Sequence, residues 1–440
     1  MLKTPDGLPP GPPLPGVVQT VAWGLRPLSV HNACRRRYGP TFTLRFYDGS
    51  PLVVISEPDD IHALFALGPH QFEAGEGNAD ILEPFLGPRS LLVLDGDAHR
   101  QERRRIQHAF RSEHLDTYRQ LVAEAALTDL ERWPVGTPFA VHDRARAITL
   151  QAILCAVFGA AGRELDGLRA ALAPFLNDTS GSVWVLIPPF RRQLGGRGPW
   201  ARFVRQRGAV HQEVLALIAR RRDAADLESR GDILSTLLRA EGSDDRLLLD
   251  ELMTLVLAGH DTTATALAWA LDLLLHHRPV LDRLRSELAT GEDDYLEAVV
   301  QEALRLRPVI SEVARKPLQP FRTTAGEIPA GTAVMASIFL AHTDPVRWPD
   351  PLAFRPERFL GDGPDAVTWL PFGGGARRCL GAGFAMLELK EVLRVVVSRT
   401  DLEAVDIEME RPRRRAVTLI PRYGTRARLR APVRSEQPAR

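Results

Sequence analysis

The chain has 440 residues, 45% apolar and 25% charged, a balance that excludes a disordered, collagenous or fibrous polypeptide. Its 56 basic and 55 acidic side chains leave a formal net charge of +1, so no global field holds it on nucleic acid or anionic lipid, and any electrostatic role must be local. Three scattered cysteines, Cys34, Cys155 and Cys379, exclude a disulfide framework and a four-thiolate zinc site.

The N-terminus has no apolar run behind a basic segment, so neither a signal peptide nor a membrane span is expected, and the protein is expected to be soluble and cytoplasmic. Residues 1–15 are rich in prolines, which fix φ and remove amide donors, and this lead-in is expected to be extended, wrapping or dangling. Residues 42–46 and 51–55 are β-branched or aromatic runs around Tyr47-Asp48-Gly49-Ser50, a hairpin signal.

From about Ile61 to Leu304 apolar residues recur three and four apart, as in 115–130 and 148–158, which predicts a mostly helical body. Turn-rich loops lie at 75–78, 177–182 and 195–199, with no composition shift that marks an interdomain linker. Residues 252–275 are apolar enough to suggest a membrane helix, but His260, Asp261, Thr262 and Thr263 interrupt the centre, where a charge costs on the order of a few kcal/mol. A buried helix with a polar break is the better expectation. The arginine-rich stretch from Arg411 onward reads as solvated surface, with 426–440 as a tail.

The strongest chemical signal is Phe372-Gly373-Gly374-Gly375-Ala376-Arg377-Arg378-Cys379-Leu380-Gly381, a glycine-dense loop presenting one cysteine just before an apolar helical segment. Glycines let a backbone approach a flat cofactor. A thiolate at a helix N-terminus, beside arginines and bonded to a metal, has its charge compensated, which makes Cys379 a candidate axial iron ligand. Cys34 and Cys155 lack such a setting and read as inert thiols. The second signal is Ala258-Gly259-His260-Asp261-Thr262-Thr263, where small residues and threonine loosen a helix enough for a groove that admits water or dioxygen. Ala258 and Thr262 are four apart and share a face, while Asp261 lies about a hundred degrees away.

Phe372, Gly375, Arg377, Cys379 and Gly381 match the pattern Phe-x-x-Gly-x-Arg-x-Cys-x-Gly, and in this the chain resembles the cytochrome P450 family. The resemblance implies a fold that is mainly α with small β-sheets (α+β), with heme b between the oxygen-binding helix and the cysteine-loop helix. It also implies one domain over 16–425 in place of the several domains that length alone suggests. Cys379 would ligate the iron within the heme loop that includes Phe372. Thr262 would hold dioxygen and its waters, and Asp261 would support proton delivery. Glu302-Ala303-Leu304-Arg305 with Phe354-Arg355-Pro356-Glu357-Arg358-Phe359 is similar to the family's structural trio, here Glu302, Arg305 and Arg358. The segment from Asp95 to Arg103 resembles the propionate-binding helix and assigns His99 and Arg103 to the heme carboxylates, with Arg315 and Arg377 completing the donors.

The implied reaction is monooxygenation. No Rossmann fingerprint, flavin segment or iron–sulfur cysteine cluster accompanies the heme motifs, so electrons are expected from a ferredoxin or flavodoxin with its reductase. Arg100, Arg103, Arg104 and Arg105, with Arg377 and Arg378, are candidates to steer such an acidic carrier. Substrate contacts are expected from a loop with Ile81, Leu82, Pro84 and Phe85, from 183–187 with Trp184, from Leu255 and Ala258, and from Val309 and Ile310. These residues suggest a lipophilic small molecule, with fatty acids, terpenes and polyketides all open. Two other activities compete: a peroxide-driven or rearranging heme-thiolate enzyme, and a non-catalytic heme-binding sensor or carrier. Asp261-Thr262 favours the reductive oxygen pathway.

Overall fold

The computed structural model describes residues 7–109, 115–159, 162–179, 191, 197–240, 242, 244–361 and 368–432. In chain order the N-terminal elements are α1 (Gly16–Leu25), α2 (Pro27–Tyr38), β1 (Thr41–Arg45), β2 (Pro51–Ile55), α3 (Pro58–Ala66) and β3 (Phe72–Glu73). Next come α4 (Gly75–Leu86), α5 (Gly96–Ala109), α6 (Leu115–Leu130), β4 (Phe139–Ala140), α7 (Val141–Phe158), α8 (Asp166–Thr179), α9 (Pro199–Arg222), α10 (Ile233–Arg239) and α11 (Asp245–His276). The C-terminal part holds α12 (Arg278–Thr290), α13 (Asp294–Leu306), β5 (Glu312–Pro317), β6 (Phe321–Thr323), β7 (Gly326–Ile328), β8 (Ala333–Ser337) and α14 (Ile338–His342). It ends with α15 (Ala382–Arg399), β9 (Leu402–Ala404), β10 (Pro412–Arg415), β11 (Thr418–Pro421) and β12 (Arg426–Leu429).

Two compact units result: one of Met1–Glu73, Ala126–Arg146 and Thr262–Arg440, the other of Ala74–Ala125 and Ala147–Asp261. The first contains every strand named above, in a five-stranded sheet of order β1-β2-β8-β5-β3, a three-stranded sheet β4-β12-β9 and two hairpins. The expected hairpin forms with register Thr41↔Ile55, and β2 then pairs in parallel with the distant β8. Period-two alternation gives β2 two buried faces. Val53 and Ile55 join one apolar cluster with Ile61, Leu64 and Phe65, while Leu52 and Val54 join another with Phe42, Met335 and Phe339. The second unit is helical throughout its named elements, with α8 against α9 and α10 against α5.

Two expectations change, the loop around Ile81 and the tail from residue 426. The lead-in wraps: Leu8 is buried in the first cluster, and the Pro9 and Pro10 carbonyls accept from the Thr43 hydroxyl and amide at 2.7 and 3.1 Å. Ile81, Leu82, Pro84 and Phe85 lie in helix α4 and not in a loop. Pro84 has no N–H for the Asp80 carbonyl, and the Arg191 guanidinium donates to that carbonyl instead. The α4 N-terminus is satisfied by Asp95, whose carboxylate accepts the amides of Ala74, Gly75 and Glu76 at 2.9 to 3.0 Å.

α11 runs unbroken over its 32 residues as the expected buried helix, and at its polar centre Thr149 donates to the His260 carbonyl at 2.9 Å. Residues 426–429 are no tail, since β12 pairs with β4 and β9 and its Arg-Ala-Arg-Leu alternation buries Ala427 and Leu429. Among the described residues no single helix is long and apolar enough to cross a membrane.

Candidate active site

Cys379 follows a 3-10 turn, Gly375–Arg377, and precedes α15, so its side chain leaves the chain at a helix N-terminal approach. Its amide donates to the Phe372 carbonyl at 2.9 Å, which closes the loop on itself. Gly375 has φ +63°, and a Cβ there would lie 1.9 Å from the Phe65 carbonyl, so the loop rests directly on α3 and admits no side chain at this point. Beside this contact a cavity of about 510 Å³ is lined by Phe65, Trp369, Phe372, Gly374 and Arg378 among others. No cysteine is disulfide-bonded, and Cys379 alone is exposed. Burial pushes the Cys34 thiol up to about 11 and raises that of Cys155, which keeps both protonated.

Beneath the loop lies an ion-pair network. Arg305 is fully buried and donates to both Glu302 oxygens at 2.6 and 2.8 Å, and to the carbonyls of His342, Pro351 and Ala353 at 2.7, 2.8 and 3.3 Å. Those bonds use all of a guanidinium's donors. Arg358 adds a 3.0 Å bond to Glu302, and the Arg355 amide adds one at 2.9 Å.

The network reaches Leu370, two residues before the cysteine loop, through His342, which sequence reasoning missed. Its Nδ1 faces the Arg305 carbonyl at 3.0 Å and its Nε2 accepts the Leu370 amide at 2.7 Å. The ring is therefore the neutral Nδ1–H tautomer, and burial with the nearby Arg305 charge pushes its pKa down to about 3. A histidine whose partners are a carbonyl and an amide leaves no side-chain pattern in the sequence to find it by.

Arg315 is buried, not a surface arginine, with its guanidinium 5.1 Å from the Phe72 ring and 5.9 Å from that of Phe65. Arg377 is half-buried in the 3-10 turn, Val309 is buried with its carbonyl accepting the Leu419 amide at 2.9 Å, and Ile310 is half-buried. Thr262 is half-buried.

In the helical unit, His99 is buried and Arg103 half-buried on α5, four residues apart and hence on one face. Two residues further on, Arg105 donates to Glu102 at 2.6 Å and to the buried Glu251 of α11. Burial, then a hydrogen bond that the protonated Glu251 donates to Glu102, raises the Glu251 carboxyl above its ordinary value. Arg105 is thus a pin between α5 and α11 and is withdrawn from the proposed carrier-steering group, while Arg100 is paired with Asp97 at 2.7 Å.

Along α11 the burial pattern opens on one strip: Ala258 is exposed, and Leu255, Gly259 and Thr262 are half-buried. These four fall within about 100° at 100° per residue. A Cβ on Gly259 would press on Ile153 at 3.1 Å, so that position favours the smallest residue. Asp261 is half-buried off this strip. Ile81 is exposed, and Leu82 and Phe85 are half-buried on α4. Trp184 and the rest of 183–187 lie outside the described residues.

Sequence reasoning also passed over Glu388, in the apolar stretch of α15. It is fully buried, and burial pushes its carboxyl from 4.5 up to about 8, partly offset by the Thr263 hydroxyl. Between those two values the folded state keeps a proton that the unfolded chain has lost. Its contribution to stability is therefore full below the lower value and drains away as pH rises toward the upper one. Glu388→Gln, which mimics the neutral acid, is expected to flatten the decline of the urea midpoint across that interval. Equal slopes in parent and variant would contradict a neutral buried acid.

The cytochrome P450 family model matches residues 8–425. Cytochrome P450 135B1 of Mycobacterium tuberculosis is 39% identical over 437 residues, covering 97% of this chain and 92% of that protein. Cytochrome P450 138 of Mycobacterium bovis is 34% identical, covering 96% of each. Among solved structures, the retinoic acid-bound cyanobacterial CYP120A1 aligns with TM-score 0.83 at 25% identity, covering 96% of this chain and 99% of that one. CYP175A1 from Thermus thermophillus aligns with TM-score 0.71 at 28% identity, covering 92% and 95%.

The chain belongs to the cytochrome P450 family of heme-thiolate monooxygenases. Its residues fit the family's heme iron. A macrocycle-bound iron brings its own donors and asks one ligand of the protein. An exposed cysteine on a glycine loop meets that demand.

Proposed function

We propose that this chain is a heme b monooxygenase that hydroxylates a lipophilic small molecule, with electrons from a ferredoxin or flavodoxin and its reductase, in the cytoplasm. The observation that carries it is the exposed Cys379 on its glycine loop at the start of α15, against two cysteines held protonated by burial. When bound, a thiolate-ligated heme supplies dioxygen activation: substrate C–H, O2, two electrons and two protons give the alcohol and water.

The protein's own groups take the remaining tasks. Phe372 and the loop glycines shape the thiolate face, and Arg377, Arg315, His99 and Arg103 donate to the two propionates, whose buried charge requires several partners. Thr262, on the open strip of α11, holds dioxygen and a water by its hydroxyl, and Asp261 passes protons toward it. Glu302, Arg305 and Arg358 hold the loop's foundation.

A lipophilic substrate is supported by the apolar character of Leu255, Ala258, Val309, Ile310, Leu82 and Phe85, and by the retinoic acid held in the CYP120A1 structure. Fatty acids, terpenes and polyketides share this chemistry. The test is substrate-dependent consumption of reduced nicotinamide with a surrogate ferredoxin system, read together with product. Thr262→Ala is expected to keep consumption while product per reduced nicotinamide falls by about tenfold or more. Full coupling in that variant would remove Thr262 from proton handling. Turnover with peroxide alone, and none with the ferredoxin system, would favour the peroxide-driven alternative.

A further inference from the structure

We propose that α1 is a membrane-surface element whose outer face lies in the headgroup region of an anionic lipid bilayer without crossing it. Surface helices of water-soluble proteins turn their apolar stripe inward. α1 does the reverse. Val17, Val18, Val21 and Leu25 are 58%, 48%, 54% and 73% exposed, and Leu14 just before the helix is 53% exposed. At 100° per residue the four helical positions fall within an arc of about 100°.

The inward side is formed by Gln19 and Trp23. Gln19 is buried, donating to the carbonyls of Pro12 and Leu14 at 3.1 and 2.8 Å and accepting the Arg45 amide at 3.1 Å. Trp23 packs at 5.6 Å against Phe46 and lies under the Arg414 guanidinium at 4.2 Å. The helix is therefore docked to the first unit through Gln19 and Trp23, and its aliphatic stripe is left facing outward.

Charge identifies what covers that stripe. From residue 7 to residue 47 the chain has five arginines and no Asp or Glu. Arg35 pairs with Asp344 at 2.9 Å, whereas Arg26, Arg36 and Arg37 are exposed and have no carboxylate partner among the described residues. An isologous contact with a second copy would set these like charges near one another. An anionic lipid surface instead complements them while its acyl boundary receives the valines and Leu25. At about 1.5 Å per residue the 10 residues of α1 are too short for a hydrocarbon core of about 30 Å, so the helix lies along the surface.

The test is co-sedimentation of the full-length holoprotein with vesicles of phosphatidylcholine alone or mixed with phosphatidylglycerol, at low and high salt. The expected result is binding to the phosphatidylglycerol vesicles that weakens with salt. Val17→Glu with Val21→Glu should cut it by about tenfold or more, with an unchanged heme spectrum as the folding control. Arg26→Glu with Arg36→Glu should remove the preference for anionic vesicles, each arginine near the surface adding roughly fivefold. Absence of binding by the parent, or equal binding by parent and valine variant, would overturn the proposal. So would a concentration-dependent dimer that the valine variant dissolves without any vesicle binding.

Discussion

Replacing Arg305 with leucine is expected to abolish most of the folded yield. The substitution leaves Glu302 with no exposed surface, only Arg358 and one backbone amide for its charge, and takes donors from three carbonyls. Breaking a buried pair by removing one partner costs about 3–5 kcal/mol, a large share of a typical total stability of about 5–15 kcal/mol. The double variant Glu302→Leu with Arg305→Leu should recover part of that loss, because no orphaned charge remains. Urea unfolding of the two proteins reads the difference. A single variant within about 1 kcal/mol of the parent would contradict the network's structural role.

Cys379→Ala is expected to abolish the thiolate signature in the reduced carbon monoxide spectrum and, with it, substrate oxidation. Cys34→Ala and Cys155→Ala are expected to retain both. Their thiols are buried and raised, and a thiolate is the species that ligates a metal. A Cys379→Ala protein that keeps the signature would reassign the ligand. The variant should still fold, because Cys379 is exposed and the hydrogen bond that its backbone amide donates to the Phe372 carbonyl is preserved by alanine.

The cysteine loop was legible in sequence because its chemistry is concentrated in ten adjacent residues, 372–381. Glu302 and Arg305 were legible as a pair for the same reason, their spacing on one helix face. Their complete burial was not, because it depends on carbonyls of residues 342, 351 and 353 folding over the guanidinium. His342 shows the limit most plainly, since backbone groups are identical at every position and leave no trace in side-chain order.

Long-range pairing was equally hidden: β2 and β8 lie side by side although residues 55 and 336 are far apart in the chain. α4 is hard to read as a helix from sequence, since Pro84 counts against helix and the compensating donor, Arg191, is more than a hundred residues away. β12 was lost in an arginine-rich run, where alternation over four residues is too brief to separate from a solvated tail. In α1 the periodicity was present, but which side faced outward depended on Gln19 finding three backbone partners.

The central claim is that the sulfur of Cys379 holds the heme iron. X-ray absorption at the iron edge of the full-length holoprotein measures this directly, by distinguishing a sulfur neighbour from nitrogen and oxygen. A sulfur scatterer in the first coordination shell, lost in Cys379→Ala, is the predicted result; a shell of nitrogen and oxygen alone in the native protein would contradict it.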